Sequence, residues 1–93
     1  MSDLSTHALV AELEMGKQAQ SFLASDVGRY MLARIEEEER QAIEALSTVW
    51  PWRRRRITQL QNQLWRARSF KEWLAELIVQ GRQAEQQLDA PEE

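Results

Sequence analysis

Few side chains in this chain of 93 residues could carry out catalysis or bind a metal. His7 is the only histidine and there is no cysteine, whereas a di-iron carboxylate site needs Glu-x-x-His pairs from two helices. The four consecutive acids Glu36 to Glu39 would point to different sides of a helix and would not converge on a substrate. Phosphate-binding loops and nucleophile motifs are also absent from the sequence. We therefore expect a chain that is not an enzyme and that uses no cofactor and no metal.

The residue types best suited to binding are concentrated in one stretch, Trp50-Pro51-Trp52-Arg53-Arg54-Arg55-Arg56. Adjacent arginines repel one another, and the first turn of a helix carries a partial positive charge that favours acids instead. Arginine and tryptophan are also enriched among the residues that dominate binding energy at interfaces. The stretch therefore predicts a partner-binding surface made of Trp50, Trp52 and Arg53, Arg54, Arg55 and Arg56. In the alternative, structural interpretation both tryptophans cover the end of the bundle, and the arginines are neutralised across the bend by Glu37, Glu38, Glu39 or Glu44.

Two further tryptophans, Trp65 and Trp73, predict a second surface. They are eight residues apart, and they share a stripe with Ser69 and Leu77 that lies away from the expected core. An exposed apolar stripe of this kind typically marks a site of self-association or of binding to a partner. We favour a homodimer or a complex with another protein through this face. The alternative is that the first helix folds across it as a third layer.

The composition favours a helical fold. Only three glycines and two prolines occur, and Ala, Leu, Glu, Gln and Arg are abundant, which predicts helix nearly everywhere. The net charge of −3 argues against a general nucleic-acid binder. No apolar run approaches the roughly 20 residues that span a membrane, and the N-terminus does not resemble a signal peptide. We therefore expect a cytoplasmic chain with no membrane contact.

Three helices are expected within one domain, over residues 6–23, 26–48 and 51–88, followed by a frayed acidic tail at 89–93. Ser5 or Thr6 is expected to cap the first helix, and Ser25 or Asp26 the second. Pro51 suits the first turn of the third helix, because its φ angle is helical and its missing N–H would be unpaired there. Ser69-Phe70-Lys71-Glu72 matches a capping box that could start another helix. The absence of Gly or Pro before it favours one continuous third helix.

The apolar spacing in the second and third helices predicts the seam of an antiparallel pair that folds back at the central proline. The expected fold is all-α, an antiparallel helical hairpin with the N-terminal helix packed on the far end of the third helix, at about residues 76–88. Glu39 and Lys71 interrupt the seam. A small rotation towards Glu38 or Ile43 is expected to relieve the first interruption, and Phe70 to fill the second.

A short internal similarity lies at the two ends of this arrangement. Residues 15–20 resemble residues 80–85, with Gly16 matching Gly81, and the bend places the two segments opposite each other. A glycine inside a helix costs about 1 kcal/mol relative to alanine, so the matched glycines predict a close approach of the two helices. Chance similarity between Gln- and Ala-rich helices is the alternative explanation.

One pattern of residues extends from Gly16 to the end of the third helix. It consists of Gly16, Ala19, Phe22-Leu23, Ser25, Gly28-Arg29-Tyr30, Leu60-Gln61, Trp73-Leu74, Gly81, Ala84, Glu85 and Leu88. In these residues, which cover most of its length, the chain resembles a set of small uncharacterised, all-helical proteins of tailed bacteriophages and prophages. At the bend those proteins carry an acidic Asp-Pro turn, whereas this chain has Trp-Pro-Trp and four arginines. The resemblance implies a phage origin and no enzyme activity, and it transfers no catalytic residue.

These observations favour a non-catalytic interaction protein that binds a virion or packaging component, or inhibits a host factor. Nucleic-acid contact by the Trp/Arg stretch is the second hypothesis, since tryptophans stack on bases and arginines bind phosphates. A purely structural homo-oligomer is the third. The expected location is the cytoplasm of a bacterial host cell, with the virion as a further possibility.

Overall fold

The computed structural model describes residues 3–90, which form three α-helices and, over that range, no β-strand. The helices are α1 (Asp3–Ala24), α2 (Asp26–Thr48) and α3 (Arg54–Asp89). The all-α architecture expected from the sequence is confirmed. The molecule is a rod with extents of 62 × 28 × 18 Å. No helix within the described range is long and apolar enough to cross a membrane.

The longest helix, α3, is the spine of the rod. At a rise of about 1.5 Å per residue it extends for roughly 54 Å. α2 runs antiparallel along the half of α3 nearest the bend, where the Gln63 side chain donates a hydrogen bond to the Glu38 carbonyl (3.0 Å). α1 lies against the other half, with Gly16 opposite Gly81. The predicted hairpin, with the N-terminal helix on its far end, is therefore present.

Two predicted helix starts are wrong. α1 begins at Asp3, so Ser5 and Thr6 lie inside the helix and do not cap it. α3 begins at Arg54, with Arg53 in the N-cap position. Pro51 lies outside the helix because it occupies the second position of a β-turn, closed by a hydrogen bond from the Arg53 N–H to the Trp50 carbonyl (3.0 Å). The φ angle of proline suits that position as well as it suits a helix.

Two further expectations concern the middle and the C-terminal end of α3. The helix is continuous through Ser69, as expected from the lack of Gly and Pro there. It continues to Asp89, which therefore does not belong to a frayed tail. Ala90 is the C-cap of α3, and the last three residues of the predicted tail, 91–93, lie outside the described residues.

The junction between α1 and α2 is a single residue, Ser25, and it is held by one hydroxyl group. The Ser25 Oγ donates to the carbonyl of Phe22 (2.6 Å) and accepts from the N–H of Gly28 (3.0 Å). Of the two predicted candidates, Ser25 is the cap and Asp26 is the first residue of α2. A Cβ atom on Gly28 would overlap the Phe22 carbonyl, so the sharp change of direction requires glycine at this position.

The core consists mainly of small residues. The buried apolar side chains among the described residues are Ala19, Ala42, Leu60, Ala67 and Ala84. Small side chains let helix axes approach closely, but they remove little apolar area from water. Apart from Leu60, the larger apolar residues between α2 and α3 are only half-buried. The rod also keeps extensive apolar surface exposed.

The two charged interruptions of the seam pair with each other. Lys71 Nζ lies 3.1 Å from the Glu39 carboxylate, and Arg68 Nε lies 3.5 Å from it. The side chain of Glu39 is 19% exposed. The expected rotation towards Glu38 or Ile43 is therefore wrong, because cations from α3 compensate the carboxylate where it stands. Lys71 and Phe70 are both half-buried at the second interruption.

This pairing predicts an asymmetry between single and double substitutions. Replacing Lys71 alone by methionine should destabilise the fold by about 1 kcal/mol, since a half-buried carboxylate loses its nearer cation. The double change Glu39→Leu/Lys71→Leu should be neutral or stabilising, because leucines restore a continuous apolar seam. Urea denaturation followed by circular dichroism measures both changes. Additive effects of Glu39→Leu and Lys71→Leu would contradict the pairing.

Candidate functional site

The bend forms the exposed tip of the rod, which we define as Trp50, Trp52 and Arg53 to Arg56. The β-turn places the two indoles on either side of Pro51, with ring centroids 4.9 Å apart and planes 16° from parallel. Such a separation is typical of offset stacking. The tryptophans are 61% and 72% exposed. The structural interpretation required both tryptophans to cover the end of the bundle, and their exposure shows that they do not.

The four arginines of the tip have no carboxylate partner among residues 3–90. Three of the four glutamates that could have neutralised them pair with other cations. Arg40 pairs with Glu37 (2.6 Å) and with Glu44 (2.7 Å), and Glu39 faces Lys71 and Arg68. Hydrogen bonds from Arg40 also hold the pKa of Glu37 below its ordinary value. The positive charge of the tip is therefore left for solvent or for a ligand.

Two shallow grooves flank the turn. One, of about 430 Å³, is lined by Trp52, the four arginines and Gln59. The other, of about 300 Å³, lies where Trp50, Arg53 and Arg56 meet the end of α2. Both combine an indole with guanidinium groups. This chemistry suits carboxylates or phosphates next to an apolar or aromatic group.

The second predicted surface is the outer face of α3, which we define as Trp65, Arg66, Ser69, Glu72 and Trp73. Its tryptophans are 65% and 62% exposed. The alternative in which α1 covers them is wrong, because α1 packs on the half of α3 beyond this face. Leu77, which the sequence placed on the same stripe, is instead half-buried, and its carbonyl lies where α1 passes at Gly16.

The groups considered for catalysis remain apart. His7 is exposed near the start of α1. Of the four consecutive acids, Glu39 lies in the seam, while Glu36, Glu37 and Glu38 are exposed. Residues 3–90 contain no group of His, Asp and Glu side chains able to hold a metal ion.

Sequence reasoning missed Gly28, whose lack of a side chain sets the angle between α1 and α2. The available signal was a break of only one residue, Ser25, followed three residues later by a glycine inside the second helix. It also missed the exposure of Val27 and Tyr30, which lie at this junction and are 66% and 63% exposed. No described hydrogen bond joins this patch to either of the two surfaces.

The tip and the outer face of α3 are thus the two places where the rod presents tryptophan and unpaired charge together. Both are open surfaces, and binding is the chemistry that they suit. No family model matches the chain, and neither a curated protein nor a solved structure is significantly similar to it.

Proposed function

We propose that this chain is a non-catalytic, phage- or prophage-type interaction module whose Trp/Arg tip binds an acidic surface of another protein. The partner class is a virion or packaging component, or a host factor that is inhibited. The module acts in the cytoplasm of the bacterial host cell or as part of the virion. The observation that carries the proposal is a set of four arginines, without an ion-pair partner among residues 3–90, next to two exposed, stacked indoles.

The geometry supports a protein partner in two ways. Stacked indoles offer a rigid apolar anchor that loses little conformational entropy on binding, and each guanidinium can bind a carboxylate with two parallel hydrogen bonds. Apart from the four tip arginines, residues 25–71 carry six basic and six acidic side chains, and the far part of the rod, residues 3–24 and 72–90, carries a net charge of −5. The excess positive charge is therefore confined to the tip, and the far part of the rod would repel the backbone of a nucleic acid that extended along it.

Nucleic-acid contact is the second candidate, and the exposed indole faces favour it. Bases can stack on tryptophan, and guanidinium groups can bind phosphates. The two candidates differ in salt dependence, because each phosphate contact releases counterions and makes binding fall steeply with added salt.

The first experiment uses the purified chain as bait in extracts of infected or lysogenic bacteria. The captured protein is identified by mass spectrometry and then titrated in purified form. The double variant Arg54→Glu/Arg55→Glu should weaken its binding at least tenfold, because two hot-spot contacts of about 1 kcal/mol or more are reversed in sign. The matched control is Arg29→Glu/Arg34→Glu, which makes the same charge change on the outside of α2 and should have little effect.

Equal loss of binding by the control and the tip variant would contradict a specific role for the tip. The nucleic-acid candidate is tested by fluorescence anisotropy with single-stranded DNA and RNA at low and physiological salt. Absence of binding at low salt removes that candidate. Tight binding that is lost in the tip variant and falls steeply with salt would replace the protein partner by a nucleic acid.

A further inference from the structure

The rod exposes more surface than its mass requires. Its solvent-accessible surface is 7523 Å², whereas a compact monomer of 10.9 kDa is expected to expose about 5,600 Å². The excess is about 1,900 Å², and each partner of a standard interface buries about 800 Å². One dimer interface along the rod therefore fits within this excess and leaves the tip uncovered.

The outer face of α3 is arranged symmetrically around Ser69. Trp65 and Trp73 lie four residues before and after Ser69, and Arg66 and Glu72 lie three residues before and after it. Residues at these spacings share one side of a helix. Arg66 and Glu72 are exposed, and neither has an ion-pair partner among the described residues. The face thus holds two indoles and two unpaired opposite charges in a self-complementary order.

The charge of the whole rod is also divided between its two halves, positive near the bend and negative far from it. Residues 25–71, which form the half nearest the bend, contain ten Lys or Arg and six Asp or Glu, a net charge of +4. Residues 3–24 and 72–90, which form the far half, contain two basic and seven acidic residues, a net charge of −5. Two rods side by side therefore attract when they are antiparallel and repel when they are parallel.

We propose that a second copy of this chain packs antiparallel on the outer face of α3, with the two-fold axis at Ser69. In this arrangement Trp65 of each copy packs against Trp73 of the other, and Arg66 of each copy pairs with Glu72 of the other. A parallel arrangement would instead place Arg66 against Arg66 and Glu72 against Glu72. The contact is the same on both copies, so the assembly closes as a dimer and does not extend into a filament.

The dimer carries a tip at each end. Arg54 lies fifteen residues from Ser69 along α3, so the two tips are about 45 Å apart at 1.5 Å per residue. The dimer interface is separate from the tip and does not depend on what the tip binds.

The first measurement is the mass of the wild-type chain by analytical ultracentrifugation over a range of concentrations. A dimer is expected, and a monomer mass at the highest concentration would overturn the proposal. Trp65→Ala and Trp73→Ala should each raise the dimer dissociation constant by about thirtyfold or more, the effect typical of a buried tryptophan at an interface. Both tryptophans are exposed within one chain, so circular dichroism should show an unchanged helix content.

Charge reversal tests the pairing itself. Arg66→Glu and Glu72→Arg should each weaken the dimer, because each places like charges together at two symmetric positions. The double variant Arg66→Glu/Glu72→Arg should recover the dimer, since every pair is again of opposite sign. The two residues are six apart on one helix and do not face each other within a chain. Failure of the double variant to recover would contradict the proposed pairing.

Cysteine cross-linking tests the axis and the direction. The chain contains no cysteine, so one introduced thiol gives an unambiguous product. Ser69→Cys should form a disulfide between copies, because helix axes about 8–10 Å apart bring residues on the axis within disulfide range. The control Asn62→Cys is one heptad away on the same face, and its two copies would be about 21 Å apart in the antiparallel dimer. Efficient cross-linking of Asn62→Cys would show a parallel dimer and overturn the proposal.

Discussion

Gly28→Ala is expected to destabilise the fold by more than about 3 kcal/mol, beyond the usual cost of overpacking. The added Cβ would overlap the carbonyl of Phe22 and lie 3.1 Å from the backbone nitrogen of Leu23. Both obstacles are backbone atoms at the end of α1, so no side chain can move aside. The junction has to open, and α1 then loses its place against α3.

The direction of the stability change in Gly28→Ala distinguishes a constrained glycine from an ordinary helical one. At an unconstrained helical position, replacing glycine by alanine stabilises a helix by about 1 kcal/mol. Chemical denaturation followed by circular dichroism therefore separates the two cases by direction as well as by size. The matched control is Val27→Ala, next to Gly28 and exposed, which should change stability by no more than about 0.5 kcal/mol. A more stable Gly28→Ala variant would contradict the geometry of the junction.

Gly16→Leu is expected to separate α1 from α3, at a cost of about 3 kcal/mol or more. A Cβ on Gly16 would lie 2.8 Å from the Gly81 Cα and 2.9 Å from the Leu77 carbonyl oxygen. Leucine is a strong helix former, so a loss of stability reports on packing and not on helix propensity. Urea denaturation measures the loss, and hydrogen exchange should show that amides of α1 lose protection first.

The control for this prediction is Gln18→Leu, which adds leucine on the exposed side of α1 and should leave stability within about 0.5 kcal/mol. Gly16→Ala and Gly81→Ala test the contact from both helices. Their effects should not add, because the first substitution already moves the helices apart. Strict additivity would show that the two glycines do not share one contact.

Local signals in the sequence determined the helical class, the break at Ser25, the reversal at Pro51 and the continuity of α3 through Ser69. Each depends on residues within a few positions of one another, such as a capping hydroxyl or a proline. The close approach at Gly16 and Gly81 could also be predicted from the sequence. A glycine inside a helix costs stability, so two glycines at matched positions indicate a need for close packing.

Other features of the protein depend on contacts between helices that the sequence pattern does not show. The carboxylate of Glu39 is compensated by Lys71, which is 32 residues away in sequence, and by Arg68. Only the pairing of α2 with α3 brings these side chains together. The intolerance of Gly28 to a side chain depends on the angle at which α1 leaves the junction. The tip arginines have no ion-pair partner among the described residues, and Arg40 pairs with Glu37 and Glu44, two of the glutamates expected to neutralise them. Charge partners and steric contacts depend on distances between segments, and a one-dimensional pattern does not contain those distances.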